Sequence, residues 1–113
     1  MITIDDLNSF GANTEEGLAR CMGKEALYLK LIPKAINDSN FEKLVESVEK
    51  GDMTASFEAA HALKGVMGNL SLTPLFDKSS EITELLRKKT DADYKSLTRE
   101  LLEMRDKLKS LCD

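Results

Sequence analysis

Apolar residues recur along this chain three and four positions apart, and no stretch alternates apolar and polar residues over the length of a strand. The clearest run is the last. Tyr94, Leu97, Leu101, Met104, Leu108 and Leu111 are spaced 3-4-3-4-3, the a/d seam of a coiled-coil-like helix that starts at Asp91 or Asp93. Before it, Leu75, Phe76, Ile82, Leu85 and Leu86 supply another apolar face. Thr73 caps that helix with Pro74 in its first position, and Arg87, Lys88 and Lys89 suit its C-terminus. Residues 53–70, MTASFEAAHALKGVMGNL, place Ala55, Ala59, Leu63, Val66 and Leu70 on one side of a third helix, with Met67 at the margin. Phe41, Leu44, Val45 and Val48 mark a stripe that Gly51 closes, and Asp52 caps the helix that follows. Over residues 24–38, Leu27, Tyr28, Leu31, Ile32, Ala35 and Ile36 make a broad apolar face with Pro33 inside it. A proline there kinks a helix or marks a break. Asp38-Ser39-Asn40 is a turn signal, and both readings of the segment stand.

Two short helices come first. One runs over residues 3–10, capped by Thr3, with Asp5 and Asp6 at its positive end and Gly11 as its breaker. The next is capped by Asn13 or Thr14, runs through Cys21 and ends at Gly23. Both are too short to stand alone and are expected to pack over an end of the main body. Short turns make the long helices antiparallel neighbours. The expected fold is all-α: an antiparallel four-helix bundle over residues 24–112 with one or two short additional N-terminal helices over 3–22, in a single domain 1–113. The helices from residue 53 onward are three bundle members, and the fourth comes from residues 24–50. The last seam reads as bundle core rather than a homodimeric coiled coil, so a monomer is expected.

Composition narrows the function. The 113 residues are 42% hydrophobic and 32% charged, as in a soluble globular protein. Aromatics are 5% and tryptophan is absent, so the core must be aliphatic. A net charge of −4 without a basic stripe argues against nucleic acid. No run approaches the roughly 18 apolar residues of a membrane span. The start, MITIDDLNSF, lacks a signal peptide's basic and apolar regions, which implies a cytoplasmic protein. Cys21 and Cys112 have no metal or redox spacing and read as reduced thiols.

The candidate chemistry sits on the 53–70 helix. His61, the only histidine, points away from the apolar face, with Gly65 and Gly68 beside it on its C-terminal side. Each helix-interior glycine costs roughly 1 kcal/mol relative to alanine. Local stability does not explain them; they uncover His61 and let another domain approach. Lys64 lies one turn on. A neutral imidazole is a good nucleophile near neutral pH, its unperturbed pKa being about 6.5. A phosphoryl group on it would carry negative charge that Lys64 offsets. Phosphoryl transfer depends on in-line approach and charge stabilisation more than on acid–base groups. An exposed surface histidine is the plain alternative, and it leaves both glycines unexplained.

His61-Ala62-Leu63-Lys64-Gly65, with Ala59-Ala60 before it and Gly68-Asn69-Leu70 after, resembles the signature of histidine-containing phosphotransfer (HPt) domains. Asn13-Thr14-Glu15-Glu16-Gly17-Leu18-Ala19-Arg20-Cys21 resembles their opening, and Ser80-Glu81-Ile82-Thr83-Glu84-Leu85-Leu86 a later segment. One departure is Ser71, where many members carry glycine. The resemblance implies a phosphorelay carrier in two-component signalling, charged on His61 Nε2 with Lys64 facing the phosphate. Phe57, Gly65, Gly68 and Asn69 would belong to the docking surface. Asn69 orients a group near the site or prepares the helix end. Phe57 is a docking contact or is covered by the N-terminal helices. The expected partners are response-regulator receiver domains or a hybrid sensor histidine kinase. The chain carries no Gly-rich phosphate loop or Mg²⁺-binding acidic cluster. It is therefore expected to be no enzyme and to hold no cofactor or metal of its own, the partner supplying aspartate and Mg²⁺. Its short length and initial methionine suggest a stand-alone carrier. A helical docking module without phosphoryl chemistry is the alternative. An enzyme or metal protein is weakly supported, for want of a ligand set or nucleophile–base pair.

Overall fold

The computed structural model describes residues 1–112. They form seven helices: α1 (Ile4–Phe10), α2 (Thr14–Arg20), α3 (Glu25–Ile36), α4 (Asn40–Lys50), α5 (Met53–Asn69), α6 (Thr73–Arg87) and α7 (Tyr94–Cys112). The helices α4, α5, α6 and α7 pack each against the next, and α7 returns to α4, closing an antiparallel four-helix bundle. The segment before it is two helices, and the break falls after Ile36, not at Pro33, which lies inside α3. So α4 takes the fourth place in the bundle, while α3 lies against α7.

Local chemistry accounts for most boundaries. Thr3 and Asp6 form a reciprocal capping box at α1. The Asn13 side chain accepts from the Glu16 N–H at α2, and Asp52 accepts from the Ala55 N–H at α5. Asp93 opens α7, accepting from both the backbone N–H and the hydroxyl of Ser96; these bonds hold its carboxyl below the usual range. Thr73 proves not to be a cap. Leu72 occupies that position without a side-chain bond, and Pro74 follows in the first turn.

The α5 face differs from the expected one. Its buried residues are Ser56, Ala59, Ala60, Leu63 and Met67, while Ala55 and Val66 are only half-buried. The face is rotated toward Ser56 because that hydroxyl is satisfied internally. It donates to the Asp52 carbonyl at 2.8 Å and bonds Ser47 Oγ of α4 at 3.0 Å, so burying it leaves no unpaired polar group. In α3, Tyr28, Ile32, Ala35 and Ile36 are buried, but Leu27 is exposed. In α7, Tyr94, Leu101 and Leu108 carry the burial, with Leu97, Met104 and Leu111 at the edges.

The N-terminal helices are fixed to one end of the bundle, at the α5–α6 turn. The Asn13 N–H donates to the Ser71 carbonyl at 2.9 Å. Tyr28, fully buried, donates its hydroxyl to the Leu70 carbonyl at 2.8 Å. Gly17 of α2 lies against the same ring: a Cβ there would stand 2.7 Å from Cε1 and closer still to Cζ and Oη. Burial, with a smaller contribution from Cys21, pushes the Tyr28 phenol from 10.0 to about 12.

That shift predicts a pH effect. A folded-state pKa above the unfolded one means stability present below pH 10 and lost as the pH rises toward 12. Tyr28→Phe is expected to cost about 1 kcal/mol at pH 9, through the lost bond to Leu70. The gap to wild type should narrow between pH 10 and 12. Urea midpoints at pH 9 and 11.5 measure it, and a constant gap would refute the assignment.

Candidate functional site

Helix α5 is capped by hydrogen bonds at both ends, and His61 stands exposed in its middle. One turn earlier, Phe57 stacks on the imidazole with ring centroids 5.6 Å apart and planes 7° from parallel. The Arg87 guanidinium carbon, from the end of α6, lies 5.3 Å from the Phe57 centroid. Phe57 is thus flanked by Arg87 of α6. It borders a separate groove with Met53, Leu86 and Tyr94.

On the C-terminal side, His61, Lys64, Gly65, Gly68 and Asn69 all line one open groove. The two glycines have different jobs. A Cβ on Gly65 would meet nothing within 4 Å. At Gly68 it would lie 3.0 Å from Cδ1 and Cε1 of Phe76. Gly68 therefore admits the Phe76 ring of α6 against the α5 backbone. Gly68 thus serves packing within this domain besides any approach of another: the contact is made across helices and leaves no mark in the helical period of α5.

Five further residues complete the groove and went unread in the sequence: Glu16 and Arg20 of α2, Ser71 of the turn, and Thr73 and Phe76 of α6. Ser71 connects them. The Ser71 N–H donates to the Gly68 carbonyl at 3.1 Å and the Leu72 N–H to the Met67 carbonyl at 3.0 Å, a Schellman end for α5. That motif puts Ser71 at φ 54, in the left-handed region where glycine is favoured. Serine there costs roughly 1 kcal/mol. Its hydroxyl has a use in return: it donates to Glu16 Oε1 at 2.8 Å. Arg20 Nε contacts the same oxygen at 3.4 Å. The i,i+4 spacing of Glu16 and Arg20 is a visible ion-pair signal, but nothing in it points to a site 45 residues away.

The groove brings two cationic side chains, Lys64 and Arg20, and one carboxylate, Glu16, beside the exposed imidazole. Among the described residues, no group of three or more His, Cys, Asp or Glu side chains could hold a metal ion. No described helix is long and apolar enough to cross a membrane.

The Hpt domain family model matches residues 35–112. This chain belongs to the Hpt domain family. No curated protein and no solved structure matched it. Hpt domains take part in phosphorelay histidine phosphotransfer in two-component signalling, as phosphocarriers rather than enzymes, and interact with receiver domains and kinases. The match runs from the end of α3 through α7 and includes His61. It leaves out α1 and α2, and with them Asn13–Cys21, where the resemblance had been extended.

Proposed function

We propose that His61 is the phosphoryl-accepting residue of this Hpt domain, carrying the group between the aspartates of receiver domains. The observation that carries this reading is an exposed imidazole in the middle of a capped 17-residue helix, with open space over Gly65 and Lys64 lining the same groove. In the step, the lone pair of His61 Nε2 attacks the phosphorus of a receiver's aspartyl phosphate. The N–P bond forms, the acyl P–O bond breaks, and the aspartate carboxylate leaves. Attack leaves the ring an imidazolium, with phosphorus on Nε2 and the proton still on Nδ1, and loss of the Nδ1 proton to solvent returns it to neutral. The reverse reaction charges the next receiver. The partner contributes the aspartate and its Mg²⁺; the chain contributes the nucleophile and the Lys64 charge. Phe57, Gly65, Gly68 and Asn69 surround His61 and belong to the surface the receiver covers.

The test is phosphoryl transfer from a phosphorylated receiver domain to the purified protein. Wild type is expected to gain an acid-labile, alkali-stable label, and His61→Gln none. A wild type that binds receivers but takes no label from any of several would instead identify a docking module.

A further inference from the structure

The His61 groove is lined by three charged side chains besides the imidazole: Lys64, Arg20 and Glu16. A phosphoryl group carries roughly −1.5 to −2 charges near neutral pH, so Lys64 alone leaves it under-compensated. Arg20 is the other cation within the groove. Resting on the phosphocarrier reading above, we propose that Arg20 is the second cation of the charged state, leaving Glu16 to take the phosphoryl oxygens on His61.

The hydrogen bonding around Glu16 suits such an exchange. Its Oε1 is shared unequally, with Ser71 Oγ at 2.8 Å and Arg20 Nε at 3.4 Å. The Arg20–Glu16 pair is long, and each side chain is 51% exposed, so little holds it together. A guanidinium presents a fork of donors that fits phosphoryl oxygens better than a single carboxylate oxygen at that distance. When Arg20 departs, Glu16 is not orphaned. Ser71 keeps its carboxylate at the wall, and Ser71 is itself tied to α2 through the Asn13 N–H. The arginine thus has a resting partner that it can leave cheaply and that stays in place without it. Both residues lie outside the stretch that matches the Hpt family, so this cation is supplied by the chain's own N-terminal helices.

Phosphoramidate charges a histidine without any receiver, transferring its phosphoryl group to nitrogen and releasing ammonia. The phosphohistidine of wild type, Arg20→Gln, Arg20→Lys and Glu16→Gln would be titrated by ³¹P NMR. A nearby cation favours the dianion, so Arg20→Gln is expected to raise the phosphoryl pKa by about 0.5, the effect of one charge several ångströms away in water. Arg20→Lys should stay near wild type, and Glu16→Gln, which frees the arginine, should lower the value. Altered packing of α2 alone would not produce this charge-ordered series. Superimposable titrations of wild type and Arg20→Gln would overturn the role of Arg20 while leaving the carrier reading intact. A wild type that takes no label would overturn the carrier reading and this inference with it.

Discussion

Replacing Gly17 with alanine is expected to destabilise the protein by about 2–4 kcal/mol, a drop in melting temperature of about 10 °C or more. The added methyl would fall 2.7 Å from Cε1 of Tyr28 and nearer to Cζ and Oη. The ring cannot swing aside without cost. It is fully buried, and its hydroxyl holds the Leu70 carbonyl at 2.8 Å. Either the ring moves and that bond is lost, or α2 lifts and the contacts of Asn13 and Glu16 with Ser71 go. A helix-interior glycine normally gains about 1 kcal/mol on becoming alanine, so the sign itself is diagnostic. Tyr28→Leu, which removes the ring, should make the second substitution far less costly than in wild type. Gly17→Ala melting within 2 °C of wild type would refute the packing described for α2.

Gly65 should behave in the opposite way. With nothing within 4 Å of a Cβ, Gly65→Ala is expected to stabilise the protein by about 1 kcal/mol. A larger side chain should separate stability from function. Helical side chains lean toward the N-terminus and cover the turn before their own Cα, so a leucine at position 65 would lie over His61. Gly65→Leu is expected to stay folded and to accept phosphoryl groups from a receiver about tenfold more slowly or worse. Melting curves and labelling rates measured together decide it. Wild-type labelling by Gly65→Leu would mean that the open space is not the approach path.

The contrast between these glycines shows what a sequence can reveal. Thr3, Asn13, Gly51 and Asp52 were readable because a cap or a breaker acts on neighbours three or four residues away. His61 and Lys64 were readable for the same reason, being one turn apart on one helix. Gly17 and Gly68 were not, since the groups that require them, Tyr28 and Phe76, belong to other helices. Ser56 misled the reading of α5 because periodicity counts a hydroxyl as outward-facing, whereas this one is bonded to its own helix and to Ser47. Pro33 allowed a kink or a break; it lies inside α3, and the break comes at Asn37. Glu16 and Arg20 were hidden most deeply. Their link to the groove runs through Ser71, 55 residues from Glu16, and it exists only once the bundle has closed.

Helix α7 packs against α1, α3, α4 and α6, and it is the last of the seven to leave the ribosome. The bundle therefore cannot close while only the first six helices of the chain have been made. From the end of α5 at Asn69 to the end of α7 at Cys112, elongation takes roughly two to nine seconds at 5–20 residues per second. In the first part of that interval, before α6 is made, α5 lacks the helix that packs on it most widely, and Leu63 and Met67 of α5 are both fully buried in the finished protein.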